Sequence, residues 1–527
     1  MTYSSRPSDA DVDRRTTKTE TTGSGDEGLR RGVGPFASFA AGFSFVSILT
    51  TVFQLFGLGF GFGGAAFFWT WPAVFIGQLL VALCFAELVA RYPISGAIFQ
   101  WSSRLAGTDF GWFVGWVMVI GQILTVATAA IALQAVLPAI WNGFQLIGGP
   151  AADSSPTSAT GAQNAVLLGI LLLVVTTTLN VVGVRAMAVV NSAGVLLEIL
   201  GVAVLVVVLL LHADRPPTVV LTTTGAGHGA YPPLWLASSL LAAYVLVGFD
   251  SAGELSEETT NPRRTTPRTI LRALVVSGAG GLLLILGALL AAPSLTDGRL
   301  AGQGIAWVLT SRLGAPGARV LLVAVAAAVV ACTLAVQASG SRMLFSMARE
   351  GSLPFASRLD RISPRTGTPV AAAIVVGVGA AIALAVNWNQ RAVFSALASL
   401  GIAMIYLAYL GVTIPLLVKR VRMRGRGGLE SGVAEDARPL FTLGRAGLAV
   451  NLVAVLYEIG MVVNLIWPRR EVYDLTGHTW WLQWSAPLFL VLTLLVGATV
   501  HLRTRMTRGP IMLGRLDTSA APEGTAR

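Results

Sequence analysis

The sequence predicts an all-α polytopic membrane protein of about twelve transmembrane helices, arranged as two inverted repeats of five with two added spans. Three observations lead there. Of 527 residues, 54% are hydrophobic and only 12% charged, with a mean hydropathy of +0.71; soluble proteins carry about 25% charged residues. Apolar runs long enough to cross a bilayer recur along the chain. Two of these runs, the first and the sixth, are interrupted by polar residues and glycine. Such breaks at matching positions of two halves are the sequence mark of an inverted repeat.

Residues 1–31 are polar and rich in Thr, Ser, Asp and Arg, so they read as a disordered cytoplasmic tail. They lack the apolar core and cleavage site of a signal peptide. The spans are expected at about 36–63, 68–90, 111–140, 165–184, 187–212, 232–256, 271–292, 318–342, 369–387, 391–418, 445–467 and 480–502. They divide into a first repeat over 32–212, a second over 232–418, spans 11 and 12 over 445–503, and a cytoplasmic tail over 504–527.

An even number of spans puts both termini on one side. The loops on that side carry Arg91, Arg104, Arg185, Arg263, Arg264, Arg268 and Arg272, then Arg342, Arg349, Arg358, Arg361 and Arg365. A last basic run holds Lys419, Arg420, Arg422, Arg424, Arg426, Arg438 and Arg445. The opposite loops carry only Arg215, Arg299, Arg312, Arg319, Arg391, Arg469 and Arg470. The richer side is cytoplasmic by the positive-inside rule. This predicts a multi-pass protein of the plasma (inner) membrane with both termini inside. The net charge of +11 is then a topology signal in a lipid bilayer, not a nucleic-acid footprint. Arg420 to Arg426 is read the same way, within reach of anionic lipid. Cys84 and Cys332 lie inside apolar runs, and the four histidines are scattered. No disulfide, metal site or cofactor is expected.

The sixth run, from Tyr231, is broken by Gly248-Phe249-Asp250-Ser251-Ala252-Gly253. Hydrocarbon offers no hydrogen bonds, so irregular backbone at depth belongs where it lines a cavity. An acid there is a functional candidate by default. Three roles are open to Asp250: contacting a substrate ammonium, carrying a coupling proton, or holding a gate by hydrogen bonds. The proton role is the first to test, because burial disfavours a free carboxylate. Glu198 in span 5 is the second coupling candidate; the plainer reading is an acid near a helix end or a partner of Asn191. In span 1, Ser44, Ser47, Thr50, Thr51 and Gln54 interrupt the apolar pattern. They either bond back onto a continuous helix or mark a break whose freed N–H groups suit a carboxylate. Gln122, Thr125 and Gln337 either line the cavity or bond between helices. Glu257, Glu258, Arg263, Arg264 and Arg268 read as a gating network at the inner end of span 6. Glu87 with Arg91, and Arg342 with Arg349, read as similar inner-face pairs.

Ordered motifs run through spans 1–10. They are Phe45-Val46-Ser47-Ile48-Leu49-Thr50-Thr51; Ala86-Glu87-Leu88 with Tyr92-Pro93, Ser95-Gly96 and Trp101; and Gly115-Trp116 with Gly121-Gln122. Gly248-Phe249-Asp250 precedes Glu257-Glu258 and Asn261-Pro262, and Ser341-Arg342 leads through Phe345 and Ala348-Arg349-Glu350-Gly351 to Leu353-Pro354. With these motifs the chain resembles the amino acid–polyamine–organocation superfamily, specifically its amino acid–choline transporter branch. The resemblance implies a LeuT-like fold of five plus five spans with helices 1 and 6 broken. It implies substrate contacts from Ser47, Ile48, Thr50 and Thr51 in the first break, and from Tyr244, Val247, Gly248 and Phe249 in the second, with Gln122 beside them. Coupling or gating would fall to Asp250 and Glu198. The chain departs from the family at Thr51, where relatives have glycine, which leaves less room near a substrate carboxylate.

The function this predicts is a secondary active permease, moving amino acids or related amines by alternating access with a proton or by exchange. Sodium stays open as the coupling ion: Ser339 and Ser341 offer hydroxyl ligands, and no lysine in span 5 mimics the ion. A choline- or polyamine-type cation is the alternative cargo. An enzyme is not expected, since no catalytic His, Ser, Cys or metal cluster appears at membrane depth, and the GxxxxGK[ST] loop of an ATP-driven pump is absent. A channel is disfavoured by the ordered motifs.

Overall fold

A computed structural model describes residues 34–390, 393–423, 439–474, 479–511 and 513. The 1–31 tail, Arg391, Arg424, Arg426, Arg438 and most of the 504–527 tail lie outside the described residues.

Ten helices among the described residues are long and apolar enough to cross a membrane. The two other expected spans are present as shorter pieces. Span 9 is the 17-residue helix Val370–Val386. Span 6 is split into Tyr231–Val245 and the four-residue Ser251–Glu254. Span 1 is also two helices, Pro35–Val46 and Ile48–Gly63. A helix between spans 2 and 3 escaped the sequence reading. Ala97–Ala106 buries Trp101, whose indole N–H donates to Tyr92 O at 3.0 Å. It is too short and mixed in polarity to register as a span. Span 8 is the end of one long helical stretch, Gly298–Arg349, bent at Gly304 and Gly314 where φ is +57° and +67°.

Five of the helix pairings follow the repeat. Span 1 packs on span 6, 2 on 7, 4 on 9, 3 on 10 and 5 on 8. Replacing each span by the one five away maps this set of neighbours onto itself, as an inverted repeat requires. Burial then separates inner helices from outer ones. In span 1, 83% of the apolar window is buried, against 22% in span 12. Spans 4, 5, 9, 11 and 12 expose Val174, Leu196, Leu200, Ile382, Leu456 and Leu495. Apolar faces of this kind, on helices of span length, suit lipid and not water.

At the basic end the inner helices are tied by ion pairs. Arg342, buried in span 8, donates from Nε to Glu258 Oε1 at 3.0 Å. Arg349 grips Glu257 with two bonds of 2.8 Å, and Glu257 also accepts from Ser95 N–H at 3.0 Å. The expected pairing of Arg342 with Arg349 is therefore corrected: the two cations repel, and each takes one of two consecutive glutamates. Glu87 pairs with Arg91 at 3.0 Å, and it also accepts from Arg420 and Thr442. Arg420 is thus a buried structural partner and not only a topology signal.

Candidate functional site

The two breaks are built differently. In span 1 a single residue leaves the helix. Ser47 sits at φ +34°, one of three non-glycine residues with positive φ among the described residues. Its N–H closes the first half-helix on Phe43 O at 2.9 Å, and its carbonyl accepts from Thr51 N–H at 3.0 Å to begin the second. Its hydroxyl donates to Thr50 Oγ1 at 2.7 Å. Thr51 is therefore inside the second half-helix and not in the break. Its hydroxyl donates to Ser47 O at 2.6 Å, which fixes the turn that a glycine would leave loose.

The N–H groups that open a helix lack intrahelical partners and carry partial positive charge. Here one has a partner from another span. Leu49 N–H donates to Glu198 Oε1 at 3.2 Å, with Ile48 N–H and the Ser47 hydroxyl adjacent to the same carboxylate. Glu198 is fully buried in mid-span 5, and its Oε2 has no hydrogen-bond partner. The Asn191 partnership is corrected: the Asn191 side-chain oxygen is unpartnered, and the acid turns instead to the amides of span 1. Cys332 of span 8 closes this pocket, its thiol directed at Phe45 O at 3.8 Å. Tyr244 lies next to Cys332 and Thr128, with its hydroxyl buried and unpartnered.

In span 6 the helix is open from Leu246 to Asp250. Gly248 has φ +87°, and a Cβ there would stand 1.7 Å from Phe45 Cδ1. Only glycine admits both the backbone and the contact, so the second break rests on the residues just before the first. Tyr409 of span 10 bridges the opening. Its oxygen accepts from Gly248 N–H at 3.1 Å and its hydroxyl donates to Asp250 Oδ1. Asp250 Oδ2 has no partner. Phe249 packs against Phe85 and Tyr409, with ring centroids 6.0 and 5.6 Å away, and Val247, two residues earlier, is buried.

The structure thus brings Ser47, Ile48, Thr50 and Glu198 together at the start of the second half-helix, and places Gly248 against Phe45 at the end of the first. Gln122 stands apart. It donates to Ser339 Oγ at 3.0 Å in a contact between spans 3 and 8. Thr125 bonds back to Gly121 O, and Gln337 joins Thr177 of span 4. Ser341 donates to Ala338 O with the Arg342 guanidinium 3.4 Å away. Among the described residues, no three His, Cys, Asp or Glu converge as metal ligands.

Sequence reasoning missed two residues. Tyr409 carried no signal of its own. Glu254 is fully buried one helical turn after Asp250, beside the amides of Gly96, Ala97 and Ile98, without closing a hydrogen bond. Its four-residue spacing from Asp250 was the signal that could have found it. Away from the basic end, a cavity of about 760 Å³ opens over Phe53, Gln54, Gln134, Pro138 and Trp307. It stops one turn above Thr50 and touches neither break. At its rim the Arg299 guanidinium holds the Asp297 carboxyl below its usual range by hydrogen bonding.

A sequence profile of the amino acid permease family matches residues 33–495. The chain belongs to the amino acid permease family. It is a secondary transporter of the amino-acid class, not an enzyme. This permease is 26% identical over 482 residues to the amino-acid permease BAT1 of Arabidopsis thaliana, covering 86% of the chain and 88% of the relative. It is 26% identical over 311 residues to the branched-chain amino acid permease BcaP of Lactococcus lactis, covering 57% and 65%. It is 24% identical to the thiamine transporter thi9 of Schizosaccharomyces pombe over 72% of the permease and 70% of that protein. The permease shares the fold of MhsT, solved with L-phenylalanine, at a TM-score of 0.60 and 14% identity, covering 83% of the permease and all of MhsT. The fold is LeuT-like, with spans 1 and 6 broken.

Proposed function

We propose that this permease moves zwitterionic amino acids across the plasma (inner) membrane by proton-coupled alternating access, with both termini in the cytoplasm. The observation that carries the reading is the contact of the two breaks. Gly248 meets Phe45 two residues before Ser47, so one small molecule can touch both. Its carboxylate would take the amides near Ile48, Leu49 and Thr50. Its ammonium would take freed carbonyls of either break, with Tyr244, Val247, Gly248 and Phe249 shaping the side-chain pocket and Thr51 narrowing it. The two repeats, 32–212 and 232–418, would rock about this centre, while spans 11 and 12 pack outside. Of the three roles open to Asp250, its hydrogen bond from Tyr409 supports the gate. Coupling then passes to Glu198.

The outer cavity and the ion-paired basic end support an outward-leaning state. Uptake into proteoliposomes under an imposed pH gradient tests the reading. Accumulation above equilibrium that a protonophore abolishes is expected, and exchange alone under the gradient would refute proton drive. Cysteines placed singly in a Cys-free background test the topology. Arg426→Cys should be silent to an impermeant thiol reagent in intact cells, and labelling from outside would overturn the orientation.

One observation favours a second reading. Asp250, Glu254 and Glu198 are buried near the breaks, and no cationic side chain partners them in the described contacts. A cationic amine, of the kind the thiamine transporter's name indicates for that relative, would neutralise them. Competition by amines lacking a carboxylate, at the strength of the amino acid itself, would decide for the cation.

A further inference from the structure

We propose that Glu198 is a tethered stand-in for the cargo's carboxylate: in the empty site it caps the amides that open the second half of span 1, and cargo takes that place as Glu198 takes up a proton. The inference rests on the reading that the cargo carries a carboxylate to the first break. It adds that this place is already filled by the chain's own acid.

The geometry is specific. Thr51 N–H is the first in the second half-helix to bond back, to Ser47 O at 3.0 Å, so the amides of Ile48, Leu49 and Thr50 are left to outside acceptors. The helix that follows runs to Gly63, long enough to give those amides the positive end of a macrodipole. Glu198 comes to them from another span, fully buried, with Oε1 on Leu49 N–H at 3.2 Å and Oε2 free. A glutamine would cap the same amide without burying a charge.

The surroundings offer the carboxylate no cation. Span 1 presents hydroxyls, Ser47 and Thr50, and backbone amides. Span 8 presents the Cys332 thiol, with the Tyr244 hydroxyl of span 6 beyond it. Span 7 approaches through Gly280, next to Ile48 and Val202, in a stretch without titratable side chains. Span 5 itself adds the amide of Asn191, about two turns earlier on the same face. When a second carboxylate enters, two anions compete for three amides. At about 4 Å their repulsion is about 4 kcal/mol even at an effective dielectric of 20. Two carboxylates that share a site hold a proton between them. The balance is simple: one cargo carboxylate binds, the Glu198 carboxylate gains one proton from solvent and becomes the neutral acid, and no other bond changes.

The test uses the purified full-length protein in nanodiscs. The proteinogenic L-amino acids are screened singly by thermal shift, and the tightest is followed for Kd against pH and for proton uptake with an indicator in weak buffer. At a pH where Glu198 is ionised in the empty protein, about one proton should enter per bound amino acid, with Kd rising about tenfold per pH unit on that alkaline side. Glu198→Gln should bind with a flat pH profile and no proton uptake. The carboxamide of the same amino acid, on the unmodified protein at a pH below about 7 where its amine stays protonated, should bind without proton uptake, which keeps the test open if the variant does not fold. The proposal is overturned if the unmodified protein takes up no proton on binding, if Glu198→Gln keeps the slope and the uptake, or if the carboxamide takes up a proton like the acid. If amino acids fail to bind while amines do, the zwitterion reading itself fails, and that result is distinct from amino acids binding without a Glu198-linked proton.

Discussion

The two breaks stand at equivalent places in the repeat, and each is served by an equivalent neighbour. Span 5 sends Glu198 to the first, and span 10 sends Tyr409 to the second. The chemistry is inverted between them. At Ser47 the helix is interrupted by one residue and the charge comes from outside. At Leu246–Asp250 it is open for five residues, the charge lies within the break, and the neighbour supplies a neutral hydroxyl that donates and accepts at once. A short break with an external acid can exchange that acid for a ligand. A long break stitched by a tyrosine is suited to holding a shape and releasing it. Equivalence in the fold therefore does not mean equivalence in role.

Four substitutions bear on this contrast, from the largest expected effect to the smallest. Gly248→Ala forces a Cβ to within 1.7 Å of Phe45 Cδ1 and onto a left-handed backbone. Overpacking costs about 1–3 kcal/mol and the backbone about 1–2 kcal/mol more. A marked fall in melting temperature and loss of uptake are expected. Gly42→Ala, whose nearest contacts would be 3.5 and 3.6 Å, is the control and should melt normally. Equal melting of the two variants would mean the breaks do not meet.

Tyr409→Phe comes next. It strands Gly248 N–H and Asp250 Oδ1 together, at a cost of about 1–3 kcal/mol. Adding Asp250→Asn should cost less than Asp250→Asn costs alone, a coupling that a double-mutant cycle in thermal or chemical unfolding reads directly. Additive effects would separate the two residues.

Thr50→Leu should weaken amino-acid affinity by about tenfold, the scale of one lost hydrogen bond to a charged group, with expression near normal. It removes the hydroxyl that accepts from Ser47 at the mouth of the amides. Unchanged affinity would return span 1 to a packing role. Thr51→Gly should do least. It loses one hydroxyl bond to Ser47 O and helix propensity of about 1 kcal/mol or less, so transport should survive, with a wider range of amino acids accepted.

The parts of this picture that the sequence carried are those written in local residue type. Span length and charge drew the helices. Glycine and an acid together marked the sixth span, and hydroxyls marked the first. What stayed hidden was non-local. Nothing near Tyr409 says that it will meet Gly248, 161 positions away. Nothing near Glu198 says that its partner is Leu49, 149 positions away and not Asn191. Ser47 is a less obvious hinge still, because neither glycine nor proline marks the one residue that leaves the helix, and the family pattern drew attention to Thr51 instead. Arg420 sat in a run that topology explained well, so its bond to Glu87 had no separate trace.

Glu257 and Glu258 are consecutive residues on one short turn, Ser256–Glu258, yet they hold two arginines seven positions apart on span 8. The two clasps are unequal: Arg342–Glu258 is almost wholly buried, and Arg349–Glu257 is partly exposed. Water and salt can loosen the outer tooth readily, at a cost of about 1 kcal/mol or less. The inner one resists, because freeing either partner strands a buried charge at about 3–5 kcal/mol. Since both teeth are cut on the same turn, the turn cannot swing clear with one engaged. Parting this turn from span 8 would therefore take the cost of the buried clasp, to which the exposed one adds little.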